Sequence, residues 1–354
     1  MAALRTLVVV PYIGEFGWEL MNWQGRVRYL VRRKHYERVI VCARPDRRRL
    51  YVEEPGFRST LRKHSAAPVV FCPLPSGTGD GCDGMPGWAN NDHRVNAAGR
   101  PFPPEALREL VKSQVRRACA QHGVSLSSAE FFSPSYRSTI WPTSRSHQWF
   151  TNLRVPGEIT TDILLVPRHR SHADRRNRTA DWWQTLCERL RARGLRVETY
   201  EPRVDRAIVQ LSRARLAVGA STGGLHLASL CGCPHYVWGS GAQRRWTPMQ
   251  MTNRQRYETL WNPLGTPCRY EECGWHPAMD HVVDQARRAL DEIGMFAGRS
   301  AGRHWIKQNG TGPRILSRSL RWRVKRRLAR VMETPPCESI WPWPVQRLVR
   351  ERLV

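Results

Sequence analysis

Residues 216–239 read LAVGASTGGLHLASLCGCPHYVWG. An apolar run, 216–218, has the character of a buried strand. A turn of small residues follows: Gly219, Ala220, Ser221, Thr222, Gly223 and Gly224. An apolar segment at 225–230 then predicts a helix that closes at Gly232. Pro234 restarts the chain, and 236–238 reads as the next strand. Strand, small-residue turn and helix in that order form an anion cradle. The first amides of a helix have no partner within it, and the positive end of its dipole lies there.

Two readings fit the turn. In one, Ser221 and Thr222 cap the helix and the glycines allow close packing. In the other, the turn and helix start hold a phosphate. His226, one turn into the helix, favours the second if its ring reaches the turn's occupant; a structural histidine is the alternative.

The pattern repeats on either side. Residues 162–166 are an apolar strand, followed by the turn PRHRSHADRRNR at 167–178. A helix at 181–193 ends at Gly194, with a strand at 195–200 and a helix at 205–213. Near the N-terminus, a strand at 6–10, a helix at 17–33 and a strand at 38–42 form the same kind of unit. Residues 69–72 read as a further strand and 73–104 as a long loop rich in Gly, Pro, Asp and Asn. Residues 104–121 have helical spacing, and 133–156 are irregular and contain the boundary. Alternation of this type predicts parallel sheets. The expected fold class is therefore α/β: two facing Rossmann-like domains, 1–155 and 156–297, followed by a basic helical tail, 298–354. Ligands of such sheets bind beyond the carboxyl ends of the strands.

Across 354 residues, 57 Lys and Arg stand against 30 Asp and Glu, a formal charge of +27. Such a surface attracts polyanions: nucleic acid, anionic headgroups or phosphorylated glycolipids. Arginine-rich composition drift is the alternative source of the charge. The tail carries 14 of the cations and three glutamates. Within it, Leu316, Leu320, Val324, Leu328 and Met332 form an apolar stripe flanked by arginines. Such a helix fits a membrane surface, with Trp322, Trp341 and Trp343 suited to a headgroup interface. Packing on the protein body is the other reading. No apolar run is long enough to span a bilayer, and the expected location is cytoplasmic, peripheral on the inner membrane face. The ten cysteines lack the spacing of a disulfide scaffold. Cys268, Cys273 and His276 lie close together, but no second pair completes a zinc motif, so no metal is expected.

Three turns carry candidate chemistry. Glu15, in the turn after the first strand, suits a general base. Glu19, one turn on, is a possible acceptor-side residue, or a partner of backbone or arginine. Arg168 and Arg178 suit the forked contact that a diphosphate accepts. Ser221, Thr222, Gly223, Gly224 and His226 complete the donor-binding set.

These elements resemble the ADP-heptose glycosyltransferases and their relatives. The matching positions are the strand ending in Pro167, the segment 194–201, Ser221-Thr222-Gly223, His226 to Ser229, and Gly232-Cys233-Pro234. The resemblance covers residues 161–239 well and 6–20 loosely. It departs at Ala220, where many relatives place aspartate, and near Arg168, which lacks their usual lysine. It implies a B-type glycosyltransferase fold working without a bound metal or other cofactor. The nucleotide-sugar, a co-substrate, is held by the second domain, and an acid at the position of Glu15 serves as base. The expected activity is an inverting transfer to a membrane-associated or lipid-linked glycan. Alternatives are transfer to a hydroxylated base in DNA and, in another class, non-catalytic nucleic-acid binding.

Overall fold

The computed structural model describes residues 5–12, 16–34, 36–52, 69–74, 105–133, 148–168, 174–241 and 252–296. Glu15, most of the 73–104 loop, residues 169–173 and the 298–354 tail lie outside them.

The first sheet contains β1 (Thr6–Val9), β2 (Arg38–Ala43), β3 (Val69–Pro73) and β4 (Glu130–Phe132), all parallel, in the order β3-β2-β1-β4. The second contains β5 (Thr161–Leu165), β6 (Val197–Thr199), β7 (Ala214–Ala220), β8 (His235–Trp238) and β9 (Cys268–Glu271), also parallel, in the order β6-β5-β7-β8-β9. In each, the chain runs outward to one side from the first strand and then crosses to the other. The switch points fall between β1 and β4 and between β5 and β7.

The first lobe adds helices α1 (Phe16–Trp18), α2 (Gln24–Arg33), α3 (Arg48–Tyr51) and α4 (Glu105–Gln121). The second adds α5 (Ala180–Arg191), α6 (Val204–Arg213), α7 (Gly223–Leu230), α8 (Asn253–Glu258) and α9 (Met279–Phe296). The helix expected at 17–33 is interrupted by a π turn at Glu19–Trp23, whose five residues are all buried. An extra residue in such a turn rotates the side chains that follow it. Helix ends follow the sequence: Gly194 (φ +80°) and Gly232 (φ +65°) take the left-handed conformation after α5 and α7.

Alternation along the strands sorts the core into layers. Val8 and Val10 face α4 with Ile40, Val115 and Ala118. Ile163, Leu165, Leu216 and Val218 face α5 and α9 with Leu186, Val282 and Ala286. The opposite faces share one cluster, in which Leu7, Val9, Leu20 and Trp23 join Leu164, Val166, Ile208, Leu211, Leu225 and Leu227. The helices between the sheets thus belong to both lobes and bury a common apolar layer. Each Val, Leu or Ile fully withdrawn from water there contributes about 1.5–3 kcal/mol. The chain crosses between sheets near residue 150. The Trp149 amide donates to the Gly25 carbonyl (2.8 Å) in the first lobe, and the Leu153 amide to the Leu230 carbonyl (2.7 Å) in the second. Among the described residues, no helix is long and apolar enough to cross a membrane.

Candidate active site

The turn beyond β7 lies at the switch point of the second sheet, beside the end of β5. Its glycines are fixed by close approach. A β-carbon at Gly219 would stand 2.5 Å from the Val166 carbonyl oxygen, and one at Gly224 would stand 2.6 Å from Val166 Cγ1. The packing role read for these glycines therefore holds. The Ser221 amide donates to the Trp238 carbonyl (3.0 Å), which ties the turn to β8.

Thr222 occupies the N-cap position of α7 with extended backbone, and its side chain makes no cap hydrogen bond. The hydroxyl of Tyr257 ties down the turn that precedes the helix. It donates to Ser221 Oγ (3.0 Å) and receives a backbone hydrogen bond from Thr222. Tyr257 is wholly buried, and burial pushes its phenol pKa well above the ordinary value. Thr222, expected in the donor-binding set, therefore has its amide engaged by Tyr257. The Gly223 and Gly224 amides at the helix start have no hydrogen-bond partner among the described residues. Ser221 and Thr222 are half-exposed, whereas Gly223 and Gly224 are buried.

The first lobe reaches this helix start directly. A β-carbon at Gly223 would meet Phe16 Cδ1 at 2.9 Å and the Gly17 nitrogen at 3.4 Å. Helix α1, the first after β1, thus abuts the start of α7. His226 belongs to the same junction. Its ring covers Gly17, stacks on Tyr257 (5.1 Å between centroids) and tilts against Trp261 (4.8 Å). At 8% exposure it is a packing residue between the lobes, not the ligand-facing ring expected from the sequence.

Arg168 lies just past the end of β5, 3% exposed, and its Nη1 donates to Asn177 Oδ1 (2.7 Å). The guanidinium is thereby held at the switch point. Arg178 behaves differently. It donates to the Pro277 carbonyl and covers the Trp182 ring at 4.6 Å, so it braces α5 against the segment before α9. Burial lowers its pKa. It is a structural contact here, not the second diphosphate fork expected.

Glu19 is also turned inward. Its Oε2 accepts from Arg47 Nε (3.0 Å) and its Oε1 from the Tyr51 hydroxyl (2.8 Å), with 3% of the residue exposed. Burial raises its pKa, while Arg47 and Tyr51 act against the rise. Of the two sequence readings, the arginine partnership is the one realised. The same Arg47 guanidinium lies 4.1 Å over the Phe16 ring. Glu19, Arg47, Phe16 and Gly223 therefore form a chain of contacts from the first lobe's interior to the second lobe's helix start. Glu15 lies outside the described residues, and its chain neighbour Phe16 is the residue placed against Gly223.

At the other switch point, the Val10 amide donates to the Phe132 carbonyl (2.9 Å). The rings of Tyr12, Trp23 and Phe132 stack there, at 6.1 and 4.7 Å between centroids. Sequence reading missed Tyr257, Trp261, Arg47 and this aromatic floor. The one available signal was the Thr252–Gln255 capping box, T-x-x-Q, which opens α8 and so carries Tyr257.

No protein-family model matches the chain, and no curated protein matches it in sequence. Solved structures of loosely similar architecture exist. The glycosyltransferase TibC of enterotoxigenic Escherichia coli is 12% identical over 82% of this chain and 76% of its own, with a TM-score of 0.32. A family 9 glycosyltransferase of Veillonella parvula is 10% identical over 82% and 98%, with a TM-score of 0.40. The heptosyltransferase WaaC of E. coli, solved with an ADP-fluoroheptose, is 13% identical over 80% and 99%, with a TM-score of 0.29. At these scores the likeness assigns no residue a role; the chain's own two parallel sheets define its fold class.

Proposed function

We propose that the protein is a glycosyltransferase that takes a sugar from a nucleotide-sugar bound by the second lobe. One observation carries the reading: the helix starts after β1 and after β7, both at switch points, meet across the lobes, and the buried Arg168 follows by two residues Val166, which packs on Gly224. A two-substrate transfer needs this layout, because each lobe presents its ligand-binding edge to the other. The Gly223 and Gly224 amides and Arg168 are the groups suited to a diphosphate leaving group, whose negative charge grows as the sugar departs. Glu15 is assigned the base. The acceptor oxygen attacks the anomeric carbon, the bond to the diphosphate oxygen breaks, and the acceptor proton passes to the Glu15 carboxylate. A single displacement of this type inverts the anomeric centre.

For the acceptor we assign a lipid-linked or membrane-associated glycan at an anionic surface. Its support is the basic, tryptophan-bearing segment 298–354. The test is a thermal-shift and calorimetric screen over nucleoside diphosphates and their sugars. It is followed by transfer assays on glycolipids in anionic vesicles and on duplex DNA. Stabilisation by one nucleotide, followed by inverted product on the glycolipid, is the expected result. Absence of a shift with every nucleotide overturns the enzyme reading. Transfer to DNA alone overturns the acceptor, and retained anomeric configuration overturns the role of Glu15.

A further inference from the structure

Away from the interlobe junction, the carboxyl edge of the second sheet holds a different set of groups. Glu271 ends β9, Cys273 follows two residues later, and His281 sits in the first turn of α9. A carboxylate oxygen, a sulfur and an imidazole nitrogen from these three all lie within 4.8 Å of one another. Among the described residues, this is the single His, Cys and acid group so arranged. His281 Nε2 stands 2.9 Å from Glu271 Oε1, an ion pair when the ring is protonated, and it is a buried nitrogen with no well-aligned hydrogen bond among the described residues. With the ring deprotonated, this nitrogen and the carboxylate oxygen both offer lone pairs, close enough to the Cys273 sulfur to share a cation.

The surroundings are rigid. The Gly239 amide donates to the Glu271 carbonyl and the Gly274 amide to the Gly239 carbonyl, both at 3.1 Å. Tyr236 donates its hydroxyl to Glu271 Oε2, so Oε1 is the oxygen turned to His281. Trp275 packs 3.5 Å from the β-carbon position of Gly239, and Arg176 covers its ring at 4.6 Å. Cys273 alone of the three is exposed, which leaves one side of the cluster open to solvent.

We propose that Glu271, Cys273 and His281 bind a zinc ion, with water as the fourth ligand. One sulfur, one nitrogen and one oxygen donor suit this borderline cation better than the oxygen-seeking Mg²⁺ or Ca²⁺. Tetrahedral bonds of 2.0–2.3 Å separate ligand atoms by roughly 3.3–3.7 Å, somewhat wider than the 2.9 Å of the His281–Glu271 pair and inside the 4.8 Å within which all three atoms lie. Binding releases the thiol proton to solvent. The ion clips the first turn of α9 to the end of β9, two strands from the β7 turn. The sequence pairing of Cys273 with Cys268 and His276 fails on different grounds. Cys268 is buried within β9, and His276 Nε2 lies 2.6 Å from the Arg175 carbonyl. The proposal is independent of the catalytic reading.

The full chain, kept reduced and stripped with a chelator, is titrated with zinc by calorimetry and with Co²⁺ by absorption. The wild type is expected to show a thiolate-to-cobalt charge-transfer band and a melting temperature that rises with zinc. Cys273→Ser, at an exposed position, is expected to fold and to lose the band. His281→Ala is expected to weaken zinc binding by at least the roughly 100-fold that loss of an outer-shell partner reaches. Absence of the band in the wild type overturns the proposal. So does zinc binding unchanged in both variants, which would put the ion on other cysteines and histidines of the chain.

Discussion

His226 of the second lobe rests on Gly17 of the first. A methyl group at Gly17 would stand 2.9 Å from His226 Cδ2 and 3.4 Å from its Nε2. The ring has little room to yield, because Tyr257 and Trp261 hold its other sides. Gly17→Ala is therefore expected to cost about 1–3 kcal/mol through overpacking. Urea unfolding of the variant measures it; an unchanged midpoint would mean that the lobes do not meet there.

Tyr257 ties Ser221 and Thr222 through one hydroxyl. Tyr257→Phe keeps the ring stack and removes both hydrogen bonds. The expected loss is about 1–2 kcal/mol of stability. Nucleoside diphosphate binding is also expected to weaken, as the turn loses its brace. Calorimetry on the two proteins separates the two effects.

Arg168 and Arg178 are expected to differ sharply. Arg168→Ala removes the guanidinium at the β5–β7 switch point. A charge-assisted contact of about 1.5–3 kcal/mol corresponds to a loss of diphosphate affinity on the order of 10- to 100-fold. Arg168→Lys recovers little of this, because an ammonium cannot fork onto two oxygens. Arg178→Ala is expected to lower the melting temperature and leave the affinity intact, since its contacts are Pro277 and Trp182. Titrations of the three variants with the nucleotide found in the screen check the contrast.

His235 is buried, with Nδ1 3.0 Å from the Cys233 carbonyl oxygen, and burial lowers its pKa from 6.5 to about 4. Between those values the unfolded chain binds the proton and the folded chain does not. Its contribution is therefore complete above pH 6.5 and shrinks as pH falls to about 4. The displacement corresponds to roughly 3 kcal/mol across that window. In His235→Gln this part of the pH dependence should vanish. Denaturant midpoints from pH 4 to 7 test it; equal slopes in the two proteins would assign the acid sensitivity to other groups.

Much of the second lobe was legible in the sequence because its local signals agree with each other. The 216–239 stretch folds as β7, α7 and β8, and the ends of α5 and α7 fall at the glycines read as stops. Helix and strand periods there match the faces that are buried. What was missed needed the tertiary fold. β4 spans three residues, too few to show an alternation, and is a strand only because β1 lies beside it. The π turn at Glu19–Trp23 cannot be distinguished from an α-helix by composition. It carries Glu19 into a pocket with Arg47 and Tyr51 that lie about thirty residues away in sequence. α9 did carry a helical stripe in Val282, Val283, Ala286, Ala289 and Leu290, which the turn-centred reading passed over. His226 was placed on the correct turn of the correct helix. Its neighbours Gly17, Tyr257 and Trp261 come from distant segments, and they decide its role.

The apolar layer that runs from Leu7 and Trp23 to Ile208 and Leu227 has a consequence for how this chain can be cut. A break near residue 155 would leave each fragment with an oily wall meant for the other, so neither half is a self-sufficient module. Separately produced halves should cling together or precipitate, and in the intact chain melting should follow a single transition rather than two.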